Sequence, residues 1–88
     1  MHMTQTQYHI PACTVQAVRE ATAIIRTLLS SIHPMQAGQI ARTIGVPHSQ
    51  TQKLLYTLEI EGLVVCDRLD QWDIHSDGLW AALNEEQT

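Results

Sequence analysis

Six polar side chains crowd one short stretch of this 88-residue chain: His48, Ser49, Gln50, Gln52, Lys53 and Tyr56. Their chemistry is recognition by hydrogen bond. A glutamine amide sets a donor beside an acceptor, which fits an adenine edge. An ammonium fits guanine or a phosphate, and a hydroxyl or imidazole fits a phosphate. Bond-making chemistry has no comparable constellation. There is no glycine-rich phosphate loop, and no Ser or Cys nucleophile stands with an evident His and acid partner. His2, His9, His33, His48 and His75 lack metal-ligand spacing with one another or with Cys13 and Cys66. His75, between Asp73 and Asp77, reads as a solvated strand-end residue. The expectation is therefore no enzyme, no cofactor and no metal. The two cysteines read as small apolar residues in a reducing compartment.

The six residues act together only if a helix presents them. Thr51, Leu54, Leu55 and Leu58 step by three and four and form an apolar stripe. Pro47 suits a helix start and Gly62 a stop, so a helix is expected from about residue 48 to 61. With that stripe turned inward, the polar set faces outward. Just upstream, Ala37, Ile40, Ala41 and Ile44 repeat the pattern over an expected helix 36–44. Gly45 sits where a left-handed C-terminal residue is required, and Val46 is placed to plug the gap between the helices. Two short helices joined by such a turn read as a helix-turn-helix. Leu63 to Cys66 and Trp72 to His75 then read as two strands around the tip Asp67-Arg68-Leu69-Asp70-Gln71, the hairpin that makes a wing. Tyr56 either stands on the outward side near Lys53 or packs under this wing. Trp72 is either a core strand residue or a ligand contact.

A longer helix is expected over 14–31, with Thr14 as its N-cap and Pro34 ending it. Val15, Val18, Ala21, Ile25, Leu28 and Ile32 form its stripe, widened by Ala17, Ile24 and Leu29. A stripe that wide covers the helix-turn-helix and leaves surface for a second subunit. A last helix is expected over 78–85, capped by Ser76 or Asp77 and carrying Leu79, Trp80 and Leu83. Residues 1–12, polar and lacking Lys and Arg, read as a flexible arm, and 13–88 as one domain. The fold class is mainly α with a small β-hairpin: a three-helix core, a wing and a short C-terminal helix.

The formal net charge of −4 counts against a nucleic-acid partner, but its distribution is uneven. Residues 1–34 carry Arg19 and Arg26 against Glu20. Residues 35–66 balance Arg42 and Lys53 with Glu59 and Glu61. The wing and tail set Arg68 against Asp67, Asp70, Asp73, Asp77, Glu85 and Glu86. The helix-turn-helix is thus neutral and the wing acidic. No apolar run is long enough to span a membrane and no signal peptide is visible, so a cytoplasmic location is expected, on the nucleoid or in a nucleus.

The segment GVPHSQTQKLLYTLEIEGLVV resembles the recognition helix and first wing strand of winged helix-turn-helix transcriptional regulators, and most of all the N-terminal domain of the IclR type. The shared grammar falls on Gly45, Val46, Pro47, the polar run His48 to Gln52, basic Lys53, Leu54-Leu55, and Leu58 to Val64. AGQIARTIG matches the preceding helix. The chain differs in having no basic residue near His48, Lys53 where Arg is usual, and a more acidic wing. It also lacks the large effector domain that follows in IclR regulators, so no small-molecule sensor is expected. A second likeness is to the Z-alpha domains, which bind left-handed nucleic acid. Gln52, Lys53, Tyr56 and Trp72 stand where that family has Asn, Arg, Tyr and a wing Trp, while its paired wing prolines are absent.

The resemblance implies a small stand-alone DNA-binding protein, a dimeric transcriptional regulator reading the major groove of double-stranded DNA with helix 48–61. The expected contacts are Gln36, His48, Ser49, Gln50, Gln52, Lys53, Tyr56 and Arg68. Helix 14–31, joined by Leu79, Trp80 and Leu83, is the expected homodimer surface. The alternatives are a winged helix that docks a protein partner through its acidic wing and tail, and a Z-alpha-like binder.

Overall fold

The structure is a computed structural model that describes residues 13–84, without the side chains of Leu79, Ala82 and Leu83. The expected arm 1–12 and the terminal residues 85–88 lie outside the described residues, as do the Leu79 and Leu83 contacts.

Helix α1 spans Gln16–Ser30. Its N-cap is Val15, extended and without a side-chain cap bond, not Thr14. It ends at Ser31, whose hydroxyl donates to the His33 carbonyl at 2.6 Å and accepts the His33 N–H at 3.2 Å. That local loop competes with the next helical turn before Pro34 is reached. The buried face of α1 is centred on Ile24 and Leu28, flanked by Ala21 and Ile25. Val15, Val18, Leu29 and Ile32 are exposed, so the expected stripe is displaced sideways from the true core face.

Strand β1, Met35–Gln36, comes where the sequence suggested the start of a helix; α2 runs from Ala37–Ile44. Gly45 closes α2 in the left-handed conformation, φ 74 and ψ 31, which a Cβ would disfavour. Helix α3 is His48–Ile60 with Pro47 as its N-cap, and Gly62, φ 80, ends it. Strands β2, Val64–Cys66, and β3, Gln71–Ile74, form the wing, and α4 is Ser76–Asn84.

The sheet is antiparallel in the order β1-β3-β2, with Met35 opposite Trp72 and Cys66 also opposite Trp72 across the other edge. This third strand was not expected. Two residues are too few to show a period, and only pairing with β3 defines β1. It clips the start of α2 to the wing.

The core gathers Ile24, Leu28, Met35, Ile40, Leu54, Leu55, Leu58, Val64 and Trp72 from every element up to β3. Each fully buried aliphatic side chain contributes about 1.5–3 kcal/mol. Thr51 is also fully buried, and its hydroxyl donates a long bond of 3.5 Å to the Val46 carbonyl. Architecture and fold class agree with the winged helix expected from the sequence. Among the described residues no helix is long and apolar enough to cross a membrane.

Candidate nucleic-acid interface

Helix α3 advances about 100° per residue, so its positions sort onto distinct faces. Thr51, Leu54, Leu55 and Leu58 point into the core. Opposite them lies an exposed ridge of Ser49, Lys53, Tyr56 and Ile60. One shoulder, with His48, Gln52 and Glu59, turns toward the wing; the other, with Gln50, turns toward α1.

That division decides the fate of each expected contact. His48, Ser49 and Lys53 are exposed, and Gln52 is half-buried. Gln50 is not on the open ridge: its side-chain amide donates to Glu20 of α1 at 3.4 Å. Glu20 also accepts from Gln16 at 3.0 Å, and Arg19 donates to Gln16 at 3.3 Å. Gln50 is therefore tied to the scaffold.

Tyr56 resolves its two readings by half satisfying each. It is 52% exposed, yet its ring meets Trp72 with centroids 5.7 Å apart and planes tilted at 60°. Trp72 is 4% exposed and belongs to the core, and it also lines the groove beside α3.

Between α3 and the wing runs a groove of about 510 Å³. It brings together Gln36, His48, Gln52 and Tyr56 of the expected set. Arg68 does not line it; it stands exposed at the wing tip. The wing turn is a three-residue hairpin loop. Asp70 donates to the Asp67 carbonyl at 3.2 Å, and Asp67 to the Gln71 carbonyl at 2.9 Å. Asp70 has φ 60, the left-handed position such loops need. The Asp67 carboxylate accepts the N–H groups of Leu69 and Gln71, at 2.8 and 3.0 Å, so it is held within the turn.

Glu59, Cys66 and Asp70 also line the groove and were missed from the sequence. Glu59 was within reach of spacing alone, being seven residues after Gln52 on the same helix. Asp70 needed the turn geometry. Burial, and then the carboxylates of Asp70, Glu59 and Asp67, push the Cys66 thiol above its ordinary pKa, so it stays protonated.

Among the described residues, neither the N-cap of α2 nor that of α3 makes a side-chain cap bond. Such helix starts suit an anionic oxygen. No group of three or more His, Cys, Asp or Glu that could hold a metal lies among the described residues. His75 donates its Nδ1–H to the Gly62 carbonyl at 3.0 Å, which places it in a structural contact.

The model of the IclR helix-turn-helix domain matches residues 17–68. No curated protein matches the chain. Among solved structures, it is similar to the crystal structure of Pseudomonas aeruginosa HmgR, with a TM-score of 0.68 and 21% identity. The match covers 78% of this chain and 29% of that one, and at this identity it is a likeness of fold.

Proposed function

The chain belongs to the IclR helix-turn-helix domain family, a family of DNA-binding domains of transcription regulators, and from that premise we propose that it reads the major groove of duplex DNA with the exposed ridge of α3. The observation that carries this reading is the burial of Thr51, Leu54, Leu55 and Leu58, which leaves His48, Ser49 and Lys53 facing solvent and Gln52 half-buried beside the wing. The N-terminal half of such a helix is the part that reaches base edges. Lys53 reads a base or holds a phosphate, and Gln52 reaches from the groove side. Gln36 and the open start of α2 meet the backbone of one strand, with Arg68 reaching out from the wing tip. Gln50 is left out of the contact set by its bond to Glu20.

Two copies form the functional unit in this reading. Val18, Ile25 and Leu29 share a face of α1 beside the core face, with Val18 62% and Leu29 59% exposed. Trp80 is also exposed. Pairing through this face hides apolar surface and sets two α3 helices against one duplex.

A mobility shift with a random-sequence duplex pool at low salt tests the reading. A retarded complex that weakens by about 1–3 kcal/mol in Lys53→Ala supports it. Wild-type affinity no better than that of the variant counts against it. A second reading, docking of a basic protein, is favoured by exposed Val65 and Leu69 beside Asp70 and Asp73. It predicts one stoichiometric partner in a pull-down and no shift of DNA.

A further inference from the structure

Gln50 stands in the first turn of α3, the part of a reading helix that reaches base edges, and glutamine is a residue type that pairs with adenine. Its amide is already engaged. Gln50 Nε2 donates to one oxygen of Glu20, on α1, at 3.4 Å. The other Glu20 oxygen accepts from Gln16 at 3.0 Å, and the Gln16 side-chain oxygen accepts from Arg19 at 3.3 Å. Glu20 is half-buried and lines a small cleft with Ile44, Gly45 and Val46, at the turn before α3. An ionised carboxylate only accepts, so it fixes the Gln50 amide with its NH2 group turned toward α1.

We infer that Glu20 is a specificity-determining positioning residue: from α1 it withholds Gln50 from base edges that its place on α3 would otherwise let it read. This rests on the DNA-binding reading above. Pairing with adenine takes both ends of the amide, the NH2 on N7 and the oxygen on the N6 amino group. With the NH2 given to Glu20, that two-bond contact does not form. Breaking the tie leaves a half-buried carboxylate oxygen without its donor, a loss of the same order as the gain from one adenine contact. The wild-type chain therefore draws no base preference from Gln50, and discrimination is left to Ser49, Gln52 and Lys53.

The test compares four versions of the whole chain: wild type, Glu20→Ala, Gln50→Ala and the double variant Glu20→Ala/Gln50→Ala. Each enriches duplexes from one random pool, and the enriched pools are sequenced. The Gln50 side-chain NH2 resonances are also recorded, without DNA, for wild type and Glu20→Ala. Both substitutions lie in helices and introduce the best helix former. The expected result is that the NH2 resonances move in Glu20→Ala. That variant also acquires adenine at one position, favoured roughly tenfold over other bases, and the other three chains do not. A packing defect alone changes affinity and creates no preference that depends on Gln50. Unmoved NH2 resonances in Glu20→Ala overturn the inference and leave the DNA reading intact. So does an unaltered sequence profile for Glu20→Ala, or an adenine preference that persists in the double variant. A wild-type preference at that position that Gln50→Ala abolishes overturns it as well. No enrichment by any of the four chains overturns the DNA reading, and the inference falls with it.

Discussion

Tyr56 rests its ring against Trp72, with centroids 5.7 Å apart and planes at 60°, and so couples the exposed ridge of α3 to the wing. The two rings differ in burial and hence in what they do. Trp72 is 4% exposed and pairs with both neighbours in the sheet, so truncation leaves a cavity at the centre of the small β-layer. Trp72→Ala is expected to cost about 3–5 kcal/mol in urea unfolding. Tyr56→Phe keeps the ring contact and should stay within about 0.5 kcal/mol of wild type.

Gly78 tests how α4 is seated. A Cβ there would overlap the Gly62 carbonyl oxygen and lie 2.8 Å from His75 Nδ1. Helix propensity favours alanine over glycine by about 1 kcal/mol, but the obstacle is backbone and cannot rotate aside. Gly78→Ala should therefore destabilise, by about 1–3 kcal/mol, with α4 losing amide-exchange protection first. A more stable Gly78→Ala protein would show that α4 does not approach the Gly62 turn this closely.

Gln50 and Lys53 are both polar residues of α3, yet their geometry assigns them different work. Gln50 is bonded to Glu20 and Lys53 is open to solvent. Gln50→Ala should change DNA affinity less than Lys53→Ala does, and by an amount that Glu20→Ala reproduces. Equal losses from Gln50→Ala and Lys53→Ala, with none from Glu20→Ala, would return Gln50 to the reading surface.

Cys66 gives a pH dependence with a definite sign. Burial, with Asp70, Glu59 and Asp67, raises its pKa in the folded chain. The unfolded chain loses this proton first, so the native state binds more protons once pH passes the ordinary thiol value. The contribution to stability is full below that value and is lost as pH rises through the raised one. In a Cys13→Ser background, alkylation of Cys66 at mildly alkaline pH should be slower in the folded protein than in denaturant. Equal rates would remove the electrostatic account of the groove floor.

The helix-turn-helix was legible because its punctuation is local. Gly45, Pro47 and Gly62 mark where helices stop and start, and the Thr51–Leu58 spacing fixes which side of α3 is buried. What escaped was set by tertiary contact. β1 exists only because Met35 and Gln36 find partners on β3. Ile24 outranks Val18 in α1 because of where α2 and α3 lie, and both have the same spacing signal. Gln50 is one turn from Lys53 on a polar surface, and only the position of Glu20 separates their roles. Glu59 and Asp70 are far apart along the chain, so their shared groove appears once the wing folds back on α3.

The central claim is that the ridge and wing-side shoulder of α3 are what touch DNA, and amide chemical-shift mapping during titration with duplex tests it most directly. The account predicts that the largest shifts fall on His48, Ser49, Gln52 and Lys53, with smaller ones at Gln36 and Arg68. Shifts confined to Asp73, Asp77 and the C-terminal helix, or no shifts at all at low salt, would contradict it.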